Sequence, residues 1–84
     1  MKPVTFSRHA LDQMRERGAG QDEVEAAITD GESAPARAGR LAFRLNFPYN
    51  SYWGGTFYAT KQVMPIVADE PERYVVVTVY VFYF

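Results

Sequence analysis

From Tyr74 to Phe84 the chain is an unbroken run of β-branched and aromatic side chains with no charge inside it. Such a run predicts a strand, whose side chains alternate between two faces. One face carries Val75, Val77, Val79, Val81 and Tyr83 and reads as core, with Val77 and Val79 expected deepest. The other carries Tyr74, Val76, Thr78, Tyr80, Phe82 and Phe84, mixing rings with hydroxyl tips. A free edge this long and apolar invites aggregation, so pairing on both sides is expected. Two readings of the second face stay open: simple packing, or an open surface floored in part by Thr78 and Tyr80.

Earlier in the chain the period is helical. Ser7 stands where an N-cap belongs, and a helix is predicted from Arg8 to Arg17, with Ala10, Leu11 and Met14 as its apolar stripe and Gly18 just past its end. Gly18-Ala19-Gly20 is a short joint into a second helix, Gln21 to Asp30, with Val24, Ala27 and Ile28 facing the core. Its Asp22, Glu23 and Glu25 suit the positive end of the helix dipole and call for no metal. Glu32 to Gly39 reads as a loop.

The period then changes to two. Leu41, Phe43, Leu45 and Phe47 alternate with Ala42, Arg44 and Asn46, the signature of a half-buried strand that Pro48 ends. Pro48 to Gly55 reads as a loop rich in turn residues. It holds Tyr49, Tyr52 and Trp53, which either fold back over an end of the sheet or offer a partner or nucleobase surface. Strand character returns from Thr56 to Ala68, where Pro65 demands an edge, a bulge or a strand end. Asp69 to Arg73 turns the chain into the final strand, and Val4-Thr5-Phe6 forms a short strand or lies along the core. The order predicts one α+β domain over residues 1–84, with two helices on one face of a three- or four-stranded antiparallel sheet.

Composition narrows the function classes. The 84 residues contain no cysteine and one histidine, so disulfides are excluded and a zinc site is disfavoured. No Gly-rich phosphate loop or serine-nucleophile motif is present, and no cofactor is implied. The start lacks the apolar run of a secretory signal, and the last strand is too short to span a membrane as a helix, so a soluble cytoplasmic protein is expected. Net charge is −1, which does not suggest a general nucleic-acid binder. Charge is nonetheless segregated: Asp22 to Glu32 holds acids and no base, whereas Ser33 to Ala68 holds Arg37, Arg40, Arg44 and Lys61 and no acid. That segment is either a phosphate-attracting patch or an ordinary solvated surface.

His9 is the only side chain with an ordinary pKa near neutrality, and it lies off the helix's apolar stripe. It is either a plain surface histidine or a general acid or base working with Arg44, Lys61, Thr78 or Tyr80. RNA can be cut through its own 2′-hydroxyl without a metal, given such a group and cations for the phosphorane.

Phe6-Ser-Arg-His-Ala10, with Met14, Arg17 and Gly18, then Val24 and Gly31, then Val75-Val-Val-Thr-Val-Tyr80, resembles a small bacterial domain family of unknown function. That family is grouped with RelE-like and BrnT-like toxins and the barnase-like, metal-independent ribonuclease fold. The resemblance implies helices on one sheet face with the other face open, RNA cleavage or a remnant of it, and an antitoxin protein as partner. His9 matches the family histidine and Arg17 the arginine closing the helix; Gln13 stands where arginine is often found. On this reading His9, Arg44, Lys61 and Tyr80 are the catalytic candidates. Arg17, Arg37, Arg40, Tyr52, Trp53 and Thr78 are the RNA-binding candidates. The other reading is a non-catalytic interaction module using the Tyr49–Trp53 loop and the open sheet face.

Overall fold

The computed structural model describes residues 1–84 as an α+β domain in two layers. The elements are β1 (Val4–Phe6), α1 (Arg8–Arg17), α2 (Gln21–Asp30), β2 (Glu32–Pro35), a 3₁₀ turn at Arg37–Gly39, β3 (Leu41–Trp53), β4 (Thr56–Asp69) and β5 (Tyr74–Tyr83). The sheet has five strands in the order β1-β5-β4-β3-β2. All neighbours are antiparallel except β1, which runs parallel to β5. The expected three or four strands thus become five: Val4–Phe6 takes the first of its two readings, a short strand, while Glu32–Pro35, expected as loop, is an edge strand of four residues, too short to show a period.

The helices form for the reasons their sequence gives. Ser7 Oγ accepts the Ala10 amide, and Gly18 closes α1 in the left-handed conformation at φ 80°. Glu23 Oε1 accepts the Gly20 amide at the start of α2. Val24, Ala27 and Ile28 are all buried, as their spacing predicts. In α1 the buried set is Ala10, Gln13 and Met14, with Leu11 only half-buried. Gln13 is buried because its Oε1 accepts the Val79 amide at 2.8 Å, so the side chain serves the sheet.

The alternation along β5 is broken once. Val67 pairs with Val76 and Ile66 with Thr78, leaving Val77 as the extra residue of a β-bulge. Every side chain before the bulge therefore changes face. Tyr74 and Val76 turn to the helices together with Val79, Val81 and Tyr83, while Val75 joins the open face. Val76 and Val79 are fully buried and Val77 is not, which corrects the strict-alternation expectation. The Val77 carbonyl is taken by Ser7 Oγ and the Val76 carbonyl by the Ser7 amide.

Two further corrections concern prolines. Pro48 does not end its strand: β3 runs on to Trp53 through a register shift between Pro48 and Ser51, with Asn50 at φ 45°. The expected loop is instead the arm of a long hairpin that turns at Gly54-Gly55. Pro65 lies buried in a central strand, and the β3–β4 pairing carries no pair at that residue. The core joins Ala10, Met14, Val24 and Ile28 to Phe43, Val63, Val67, Val76 and Val79. The two helices cover one face of the sheet and leave the other open.

Candidate functional site

Thr78 and Tyr80, which follow the bulge in β5 and keep their expected face, lie on the open face beside Ile66 of β4. The turn before β3 brings Arg37 and Arg40 to the same place. With Ala36, these residues line a shallow groove of about 260 Å³. The turn is tight: Ala36 and Arg40 are joined by a backbone hydrogen bond, and Ala38 and Gly39 both take positive φ, at 59° and 71°. Holding a non-glycine residue there costs about 1–2 kcal/mol. This strain is stored in the segment that aims both arginines.

Arg17 enters the site from the helix layer. Because β1 pairs only with Tyr74 to Val76, the outer edge of β5 is open beyond that point. Arg17 reaches this edge, donating from Nη1 to the Val79 carbonyl at 2.8 Å. Its guanidinium carbon lies 5.5 Å from the centre of the Tyr80 ring. Phe82 follows, its ring 6.4 Å from that of Tyr80 and inclined by only 20°. Tyr80 and Phe82 keep 41% and 45% of their surface exposed.

Charge sets this region apart. Of the nine Lys and Arg side chains, six pair with a carboxylate: Lys2, Arg8, Arg15, Arg44, Lys61 and Arg73. The three that do not are Arg17, Arg37 and Arg40. All three surround Tyr80, and no acid lines the groove. A chain of net charge −1 has gathered its uncompensated cations at one place.

The four residues assigned catalytic roles do not meet. Tyr80 alone lies in the groove. Lys61 sits on the helix side of the sheet, buried, 2.8 Å from the Glu23 carboxylate and 3.0 Å from the Gly18 carbonyl. An ammonium so compensated clamps the joint between α1 and α2, which corrects its reading as a phosphate cation. Arg44 is on the open face, but 3.5 Å from Glu32 across the β2–β3 pair. His9 lies exposed on the first turn of α1, and its imidazole neither lines the groove nor joins an ion pair.

The hairpin aromatics are also elsewhere. Trp53 stacks on Tyr83 with centroids 4.9 Å apart and planes inclined by 14°. Tyr49 meets Tyr83 edge-on at 5.1 Å. A side chain at Gly18 would place its Cβ 2.7 Å from the Tyr83 hydroxyl and 2.9 Å from the Trp53 ring, so this packing needs glycine. Tyr83 donates to the Arg17 carbonyl at 2.7 Å. Burial first, then Tyr49 and Glu23 nearby, push its hydroxyl pKa up to about 12. Trp53 thus folds back over the helix joint while keeping 37% of its surface exposed. Tyr52 remains largely exposed near the hairpin tip, edge-on to Phe57.

Sequence reasoning missed Phe82 and Ile66 as parts of the site. Phe82 was signalled by its spacing of two from Tyr80; Ile66 follows only from the register of β4 against β5. No helix is long and apolar enough to cross a membrane. No characterised protein and no solved structure matches the chain. Residues 6–81, nearly its whole length, match a domain of unknown function, and the chain belongs to that family, DUF4258.

Proposed function

We propose that this domain binds single-stranded RNA on its open sheet face, as a toxin-type domain related to the RelE and BrnT group or a degenerate relative of it. The observation that supports this most is the collection of Arg17, Arg37 and Arg40, the only cations without carboxylate partners, around the exposed ring of Tyr80. Guanidinium groups serve phosphates, and a ring on an open sheet serves an unstacked base. Thr78 adds a hydroxyl that both donates and accepts. The groove contains cations and a stacking ring but no imidazole, so binding is the primary activity. Any cleavage would draw on His9 from outside the groove, and an antitoxin partner would act by covering this face.

Fluorescence anisotropy with a short labelled RNA tests the reading. Binding is expected to weaken steeply with salt and to favour a single strand over a duplex. Arg40→Ala should reduce the salt slope by about one contact. Tyr80→Ala should cost about 1–3 kcal/mol of affinity, as for a lost base–aromatic stack. Salt-independent binding, or affinity that survives both substitutions, would refute it. RNA cleavage abolished by His9→Gln at unchanged affinity would extend the reading to a ribonuclease.

A further inference from the structure

The outer edge of β5 has a consequence independent of RNA. Thr60 and Phe84 exchange both of their backbone hydrogen bonds, at 2.8 and 3.0 Å, so Phe84 faces β4. Counting back in twos along an antiparallel ladder, Phe82 and Tyr80 also face β4, while Val79, Val81 and Tyr83 turn their amides and carbonyls outward. At Val79 both groups are satisfied by α1, the amide by Gln13 Oε1 and the carbonyl by Arg17 Nη1. At Val81 and Tyr83 neither β1 nor α1 supplies a partner. The edge is uncovered there, and from Tyr74 to Phe84 it carries neither proline nor charge, the two common safeguards of an edge strand.

We propose that this edge pairs with the same edge of a second copy of the chain, antiparallel and centred on Phe82, joining two five-stranded sheets into one. In that register Val81 of each copy exchanges both hydrogen bonds with the partner's Tyr83. All the free outward groups are satisfied symmetrically, as an isologous contact requires. Phe82 opposes the partner's Phe82, and Tyr80 opposes the partner's Phe84, so the exposed rings line up as cross-strand aromatic pairs. The strand itself is uncharged, and in this register the two Arg17 side chains, each bonded to its own Val79 carbonyl, lie at opposite ends of the seam.

Area sets the strength. At roughly 200 Å² per aromatic side chain, exposures of 41%, 45% and 58% at Tyr80, Phe82 and Phe84 leave about 300 Å² per copy to be covered. Two copies and their backbone edges stay below the ~1,200 Å² of a standard-size interface. The dimer is therefore weak and concentration-dependent. Arg37, Arg40 and Ile66 stay accessible beside the seam, whereas the Tyr80 ring belongs to both surfaces, so the second copy and a stacked base compete for it.

Sedimentation velocity over about 1 µM to 1 mM, a range matching weak affinities, should show wild type passing from monomer to dimer. Phe82→Lys puts two like charges face to face at the axis and should stay monomeric throughout. Phe82→Cys gives a covalent readout, since the chain has no other cysteine. Residues facing each other at such a non-hydrogen-bonded position lie about 4.5 Å apart at Cα, within disulfide reach. Mild oxidation should therefore cross-link Phe82→Cys far faster than Phe57→Cys, an exposed hairpin position. Arg40→Ala should leave the dimer intact while weakening RNA binding. A wild type that is monomeric throughout, a dimer indifferent to Phe82→Lys, or equal cross-linking at both positions would overturn the pairing.

Discussion

Val77 and Val79 differ by two positions in a strand that reads as regular, yet the bulge gives them different environments. Val79 is fully buried among Met14, Val63 and their neighbours. Val79→Ala removes two methyl equivalents, a transfer loss of about 1.6 kcal/mol at ~0.8 kcal/mol per group. A residual cavity raises the cost to about 2–3 kcal/mol. Val77 is the extra residue of the bulge and only half-buried, and its backbone bond to Ser7 does not involve the side chain. Val77→Ala should cost under about 1 kcal/mol. Urea denaturation at a common m-value reads the difference as a shift in midpoint. Equal losses at the two valines would mean that the alternation is unbroken and the bulge is wrong.

Other consequences follow from single contacts. Gln13→Ala strands the buried Val79 amide and should cost about 1–3 kcal/mol, although glutamine on a helix surface is normally dispensable; thermal denaturation reports it. Lys61→Met should destabilise by about 1–3 kcal/mol, because the Gly18 carbonyl loses its partner and Glu23 keeps only the Gly20 amide, while RNA affinity of the folded protein stays unchanged. For Tyr83 the folded pKa lies near 12, above the ordinary 10.0. Its contribution is therefore complete below pH 10 and is lost as pH rises from 10 through 12. Tyr83→Phe should flatten that alkaline limb, because the group that titrates there is gone.

Much of the fold is legible in the sequence because caps and periods are local signals. Ser7 and Gly18 bracket α1, and Val24, Ala27 and Ile28 define the buried stripe of α2. What escapes is non-local. The bulge at Val77 arises from matching β5 to β4 while Ser7 takes the neighbouring carbonyls, and nothing in a valine run marks it. Gln13 looks like a surface residue until the β5 edge lies beside it. Pro48 carries the usual mark of a strand end, but the bulge at Asn50 lets β3 continue.

The candidate site shows the same division. Thr78 and Tyr80 are legible as a polar-aromatic surface, and Arg37 and Arg40 as part of a separate basic segment with Arg44 and Lys61; only the structure joins the two pairs with Arg17. Lys61 could not be told from a free cation by its neighbours in sequence, because Glu23, its partner, lies 38 positions away. Trp53 and Tyr83 are likewise distant in the chain, and only the length of the β3–β4 hairpin carries the indole back to the helix joint.

The central claim is that the open face around Tyr80 receives RNA, and mapping an RNA titration onto the backbone amides by two-dimensional NMR tests it most directly. The expected result is a contiguous set of shifts at Thr78 to Phe82, Ile66 and Arg37 to Arg40, with the Arg17 guanidinium also moving and Lys61 and Trp53 silent. Shifts confined to His9 and its helix turn, or to the Tyr52–Phe57 hairpin tip, would contradict it.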